Sequence, residues 1–63
     1  MKTKSRFNQF KSALLDAIGY RAIMEANERI TVIDTYSNSV VETFTTLQRA
    51  IDHYARFMPD EIK

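Results

Sequence analysis

Residues 29–58 constrain the fold of this chain more than any other stretch. Their sequence, RITVIDTYSNSVVETFTTLQRAIDHYARFM, contains two runs rich in β-branched residues, a polar segment between them, and a helical repeat directly after the second run. Two strands and a helix joined in this way bury one face of the strand pair. The first half of the chain must therefore supply what covers that face.

The two runs predict a β-hairpin with a turn at residues 36–38. Asn38 then occupies the turn position that needs a left-handed backbone, which asparagine tolerates better than most residues. In this register Thr35 pairs with Ser39. One face then carries the apolar set Ile30, Val32, Val40 and Phe44. A shift by one residue would set apolar side chains opposite threonines, so we favour this register.

A helix is predicted to follow the hairpin and to end near Met58. Thr45 is the expected N-cap, and Gln48 completes a capping box with it. Pro59 ends the helix, because the residue before a proline disfavours helical backbone. The apolar positions recur at the spacing of one helix face, and they are Leu47, Ala50, Ile51, Tyr54, Phe57 and Met58.

The beginning of the chain predicts another helix. Residues 1–4 are expected to be a disordered lead, and Ser5 is the expected N-cap of a helix that runs to about Ile18. Gly19 follows at a position where glycine often ends a helix. The apolar stripe of this helix consists of Phe7, Phe10, Leu14, Ala17 and Ile18.

Residues 20–25 predict a third strand, followed by a turn at residues 26–28. Tyr20, Ala22 and Met24 alternate with Arg21, Ile23 and Glu25. The alternative is one long N-terminal helix that continues through Glu28, since this segment also contains good helix formers. That helix would bring Arg21 and Glu25 onto its buried face. We therefore favour the strand.

The predicted fold class is α+β, with a single small two-layer domain over residues 1–63. Its elements follow the order α-β-β-β-α, and a three-stranded antiparallel meander packs on two helices. The central strand is predicted at residues 29–35. The alternative architecture is a long N-terminal helix, a β-hairpin and a C-terminal helix.

The length of the chain makes its core marginal. A chain of 63 residues buries only about 60% of its unfolded surface, and without cysteine it has no disulfide to compensate. Stability must come from a well-packed core or from a partner subunit. No apolar run reaches the roughly 18 residues of a membrane span, and no signal peptide is recognisable. These features predict a cytoplasmic protein that has no membrane partner.

The sequence contains no recognisable catalytic, metal-binding or nucleotide-binding motif. His53 is the only histidine, and on a helix its side chain and that of Asp52 point in different directions. The acidic residues lack the spacing of a metal-binding loop, and a chain with one glycine has no glycine-rich phosphate loop. We therefore predict no enzymatic activity, no cofactor, no metal site and no small-molecule substrate.

Nucleic-acid binding is the alternative function, because the basic residues are unevenly distributed. Those that precede the first acid, Asp16, are candidate phosphate contacts on the N-terminal helix, namely Lys2, Lys4, Arg6 and Lys11. The formal net charge is only +1. Binding of the chain to DNA or RNA is therefore expected to be weak.

Two resemblances bear on this alternative. The order α-β-β-β-α resembles that of double-stranded-RNA-binding domains, which contact phosphates through a basic cluster that opens the second helix. The corresponding positions here are Thr45, Thr46, Gln48 and Arg49, so only the arginine matches. Residues 30–51 also look like the sheet-to-helix corner of arm-type DNA-binding domains of tyrosine recombinases, which read DNA with a basic sheet face. This chain offers Arg21 and Arg29 on that face, offset by Glu25.

Protein binding is the leading predicted function. If both helices cover one face of the sheet, the other presents an apolar centre in which Ile33 and Val41 are cross-strand neighbours, as interface patches do. The predicted partner-binding residues are Ile23, Ile33, Val41, Arg21, Arg29, Thr31 and Thr43. We interpret the chain as a small non-enzymatic regulator, of the kind that phages and mobile elements encode. Its partner is expected to be another protein or a second copy of itself.

Overall fold

The computed structural model describes residues 2–63, with side chains from Ser5 onward. A helix, α1 (Lys2–Ile18), precedes three strands, β1 (Tyr20–Met24), β2 (Ile30–Asp34) and β3 (Ser39–Phe44). A second helix, α2 (Leu47–His53), is followed by two 3₁₀ turns, at Ala55–Phe57 and Asp60–Ile62. The strands form one antiparallel sheet with β2 in the centre. The predicted α-β-β-β-α order and meander sheet are confirmed.

Helix α1 begins earlier and ends where the sequence predicts. It starts at Lys2, so the predicted N-cap at Ser5 is wrong and Ser5 lies inside the helix. The backbone of residues 2–4 belongs to α1, whereas Met1 and the side chains of residues 2–4 lie outside the described part of the chain. Gly19 adopts a φ of 71°, and its amide donates to the Leu15 carbonyl at 3.0 Å. The long-helix alternative is therefore wrong.

Strands β1 and β2 pair in the predicted register. Ala22 lies opposite Val32, and the Glu25 amide donates to the Arg29 carbonyl at 2.9 Å. The turn between these strands lies at the predicted place and ends on Glu28, which adopts a left-handed φ of 66°. This backbone is one that glycine or asparagine adopts at less cost than glutamate.

Strands β2 and β3 keep the predicted register only at the end far from their turn. Val32 lies opposite Glu42 as predicted, whereas Ile33 lies opposite Val40. Val41 is thus an extra residue on β3, which is a β-bulge. Val40 consequently faces the same side as Ile33, and its side chain is 62% exposed. The predictions that Val40 joins the buried face and that Ile33 pairs with Val41 are both wrong.

Hydrogen bonds in the turn explain the bulge. Asp34 accepts the Tyr36 amide on its Oδ1 at 2.8 Å and the Asn38 amide on its carbonyl at 2.7 Å. Asn38 has a φ of 59°, which confirms its predicted left-handed backbone. These bonds make Asp34, not Thr35, the last paired residue before the turn, and its partner is Ser39. Between Ser39 and Glu42, strand β3 therefore has one residue more than the facing part of β2, and the bulge at Val41 accommodates this extra residue.

Helix α2 begins after Thr46, so the predicted N-cap at Thr45 is wrong. The Thr46 backbone is extended, with φ of −141° and ψ of 158°, and its Oγ1 accepts the Arg49 amide at 3.2 Å. This is the geometry of an N-cap, in which a side-chain oxygen satisfies an amide of the first helical turn. Thr45 and Thr46 carry the same hydroxyl group. The path of the backbone after β3 places Thr46, and not Thr45, at the beginning of the helix.

Helix α2 ends at His53 rather than near Met58. Tyr54 leaves helical geometry, with φ of −105° and ψ of 25°, and the Phe57 amide donates to the Tyr54 carbonyl at 2.9 Å. Pro59 affects only the following turn, because it has no amide to donate to the Ala55 carbonyl. The Met58 amide donates to that carbonyl instead, at 3.0 Å, which is the tighter 3₁₀ pattern. Met58 itself is extended, with φ of −97° and ψ of 147°, as expected before a proline.

The core lies between the inner face of the sheet and the helices. Its fully buried large side chains are Phe10, Leu14, Ile30, Ile51 and Val32. The predicted apolar stripe of the C-terminal segment is buried at Leu47, Ala50, Ile51, Tyr54 and Met58. Ala17, which was predicted to lie on the stripe of α1, is exposed, and Ala13 packs against the core in its place. Within residues 2–63, neither helix combines the length and apolar character that a membrane crossing needs.

Candidate functional site

One face of the sheet is not covered by the helices. Ala22, Ile30 and Val32 are buried beneath α1 and α2, so the residues that alternate with them along the strands point away from the core. We call this surface the outer face. It consists of Arg21, Ile23, Arg29, Thr31, Ile33, Val40, Val41 and Thr43.

Two cross-strand rows build the outer face. They are Arg21–Ile33–Val40 and Ile23–Thr31–Thr43. Arg29 precedes β2 at the end of the sheet opposite Arg21, and Val41 lies in the bulge beside Val40. The structure therefore places all the residues of the predicted partner-binding surface on or beside one sheet face.

The middle of the outer face is apolar and open to solvent. Ile23 is 37% exposed, Val41 39% and Val40 62%, while Ile33 on the central strand is half-buried. We call these four residues the apolar centre. The sequence interpretation missed Val40, because the alternation of β3 predicts an inward side chain there and only the bulge reverses it.

Three charged residues lie around the apolar centre, and they differ in their hydrogen bonds. Glu25 accepts a hydrogen bond from the Thr31 hydroxyl through its Oε2. The Arg21 and Arg29 side chains are exposed, and neither guanidinium forms an ion pair or hydrogen bond with any side chain that the structure describes. The outer face therefore carries two guanidinium groups against the single carboxylate of Glu25, which lies opposite Arg29, and its net charge is positive.

The candidate phosphate contacts lie in the other layer of the molecule. The side chains of Lys2 and Lys4 are outside the described residues. Arg6 donates through Nη2 to the Ile62 carbonyl and to Gln48 Oε1, both at 2.8 Å, so its guanidinium joins α1 to the C-terminal segment. Lys11 is exposed, with its Nζ 5.9 Å from the centroid of the Phe7 ring.

A shallow depression of about 390 Å³ lies beside α2, lined by Phe44, Arg49, Asp52 and His53. The His53 ring centroid is 5.2 Å from that of Phe44, and Asp52 accepts a hydrogen bond from Gln48 at 2.9 Å. The imidazole ring and the carboxylate therefore already have contacts within the protein, and the depression is open to solvent. Among the residues with described side chains, no three acidic, histidine or cysteine residues gather as metal ligands.

Tyr54 is the central member of an aromatic cluster beneath the sheet. Its ring centroid lies 4.7 Å from that of His53, 5.9 Å from Phe44 and 6.3 Å from Phe10. Burial raises the pKa of the Tyr54 hydroxyl above its ordinary value, with further contributions from nearby Tyr20 and Glu42. Tyr54 as a whole is buried, and the cluster is a structural part of the core.

No protein-family model, no curated protein and no solved structure matches this chain significantly.

Proposed function

We propose that this protein is a small non-enzymatic protein-binding module that acts through its outer face. The observation that carries the proposal is the exposed apolar centre of Ile23, Ile33, Val40 and Val41 on a chain of only 63 residues. The inner face already buries a full set of core side chains, so these apolar residues are not needed to complete the domain. A contiguous apolar patch with a polar rim is typical of a surface that contacts another protein.

The size of the patch indicates the strength of such an interaction. Strands lie about 4.8 Å apart and rise about 3.3 Å per residue, so a three-stranded face with five-residue strands covers roughly 250 Å². At about 25 cal/mol per Å², removal of an apolar area of this size from water contributes at most about 6 kcal/mol. Since association itself costs several kcal/mol, we expect binding of modest affinity that depends on every residue of the apolar centre.

Two lysine substitutions test the proposal. Val40→Lys changes a side chain that is 62% exposed, so it should leave the fold intact. Ile33→Lys places a charge at the middle of the outer face, where a partner would have to desolvate it. Parent and variants are used as bait with extracts of the native host, their self-association is measured by light scattering, and circular dichroism checks folding.

Both lysine variants should lose the proteins that the parent captures, or the self-association that it shows. Arg56→Ala, which changes an exposed residue in the first 3₁₀ turn, is the control and should behave as the parent does. Folded lysine variants that capture the same proteins as the parent would contradict the proposal. Unfolding of Ile33→Lys alone would leave Val40→Lys to decide.

A further inference from the structure

The outer face is too small to be the whole interface of a stable homodimer. Stable protein interfaces bury about 800 Å² on each partner, whereas the outer face offers roughly 250 Å² by strand geometry. A second copy would also bring its own Arg21 and Arg29 to the same contact. The size of the face instead matches a single helix, whose diameter with side chains is about 10–12 Å.

The β3 edge of the sheet does not favour an added strand. Strand β3 is an edge strand, and its bulge at Val41 interrupts the regular row of backbone donors and acceptors that a pairing strand needs. Glu42, the next residue, is exposed on that edge. Bulges and charged residues are features that discourage edge-to-edge pairing. A partner segment is therefore expected to lie across the outer face rather than beside β3.

The charges at the two ends of the apolar centre specify the partner further. Arg21 on β1 is opposite Ile33 on β2, and Arg29 precedes Ile33 by four residues in the chain. At about 3.3 Å per residue, the two arginines are separated by about 13 Å along the strands. On a helix that rises 1.5 Å per residue, residues eight positions apart are separated by about 12 Å and lie on the same side, so acidic residues at this spacing match the distance.

We propose that the outer face binds an amphipathic helix of another protein, with an apolar stripe that covers the apolar centre and acidic residues that meet Arg21 and Arg29. This inference rests on the proposed protein-binding function and names the chemistry of its partner. Apolar contact supplies the affinity, and the two arginines select partners by charge.

A charge-swap experiment tests the inference. One probe is a designed helical peptide with leucines along one stripe and glutamates eight residues apart beside that stripe, and the second probe carries lysines in place of those glutamates. Each is titrated into isotope-labelled protein, and backbone amide shifts are followed by NMR. The acidic peptide should bind roughly tenfold more tightly, as expected for two exposed ion pairs. The shifted amides should lie in β1, β2 and β3 at the outer face.

The double variant Arg21→Glu/Arg29→Glu should reverse the preference and bind the lysine peptide more tightly. Arg49→Glu/Arg56→Glu makes the same change of charge away from the outer face, so it should keep the preference of the parent.

Three results would overturn the inference. Equal binding of both peptides at the outer face would remove the charge selection but leave the docking function standing. A stable dimer in light scattering that Val40→Lys abolishes would make a second copy the occupant. Absence of shifts with either peptide would reject an acidic helix as the partner, and the capture experiment would then decide the proposed function separately.

Discussion

At the scale of single residues, left-handed backbone fixes the points where the chain changes direction. Gly19 ends α1, Glu28 ends the first turn and Asn38 ends the second, with φ values of 71°, 66° and 59°. Glycine and asparagine are residues that adopt this conformation readily. Glutamate is not, so Glu28 holds a conformation that its side chain disfavours.

Glu28→Gly should therefore stabilise the protein. Removal of the Cβ relieves the steric penalty of the left-handed backbone, which is roughly 1 kcal/mol. Part of this gain in stability is offset because glycine has greater conformational freedom in the unfolded chain. We expect the free energy of unfolding, measured by urea denaturation, to rise by up to about 0.5–1 kcal/mol. Ala26→Gly, in the same turn but without a positive φ, should lower it. A stability loss in Glu28→Gly comparable to that of Ala26→Gly would show that the Glu28 backbone is not a source of strain.

Tyr54 should make the stability depend on pH in the alkaline range. Its pKa in the folded protein is raised above the ordinary 10.0, mainly by burial. The unfolded chain then releases this proton more readily, so the contribution is fully present below about pH 10 and is lost as pH rises through the folded pKa. Thermal melts from pH 8 to 11 should show a smaller alkaline loss for Tyr54→Phe than for the parent. Tyr36→Phe, at a side chain that is 96% exposed, should retain the parental loss.

At the scale of elements, Arg6 joins the two ends of the chain. Its guanidinium bridges α1 to Gln48 at the beginning of α2 and to the Ile62 carbonyl in the last 3₁₀ turn. Ile62 is only 2% exposed, so this turn closes the core beneath the helices. Sequence periodicity does not reveal the contact, because residues 6 and 62 are brought together only by the packing of α1 against the C-terminal segment.

Arg6→Ala should weaken the packing of the last 3₁₀ turn against α1. Loss of two hydrogen bonds from a charged donor, one of them partly buried, should lower the free energy of unfolding by about 1–2 kcal/mol. Lys11→Ala, which removes an exposed cation from the same helix, is the control and should change stability by less than about 0.5 kcal/mol. Amide hydrogen exchange should show the loss of protection first at residues 60–62. Equal stability of the two variants would contradict a structural role for Arg6.

At the scale of the whole molecule, the layers separate the two candidate functions. The outer face carries the apolar centre with its two arginines, whereas Arg6 and Lys11 belong to α1 on the other side of the sheet. Nucleic-acid binding that used the N-terminal helix and the sheet face together would require contacts on opposite sides of a small domain. Arg6 is also engaged within the fold.

Binding to duplex DNA or RNA is accordingly expected to be weak and to disappear at moderate salt. Few cations are available to displace counterions from phosphates, and they are dispersed over the surface. Fluorescence anisotropy with labelled duplexes over a range of salt concentrations measures this directly. Tight, sequence-selective binding in near-physiological salt would favour nucleic-acid binding over the protein-binding proposal.

The sequence by itself determined the element order, the meander topology, the β1–β2 register and most of the core. These features follow from local patterns, since alternation places Ala22 inward, helical spacing places Leu47 and Ile51 on one stripe, and Gly19 ends α1. The residues of the outer face were predicted in the same way, apart from Val40. Local periodicity sufficed for most positions on elements with one buried and one exposed face, and Ala17 on α1 is an exception.

Tertiary structure decided the features that depend on which groups meet in space. The bonds of Asp34 to its turn shifted the end of β3 by one residue and moved Val40 to the outer face. After Tyr54 the chain turns in 3₁₀ geometry, with the Phe57 and Met58 amides bonded three residues back, and Ile62 packs beneath α1. In both places the local geometry follows the hydrogen bonds that the folded backbone can make and not the periodic pattern, because backbone amides bond to the carbonyl or side-chain oxygens that the chain path brings within reach.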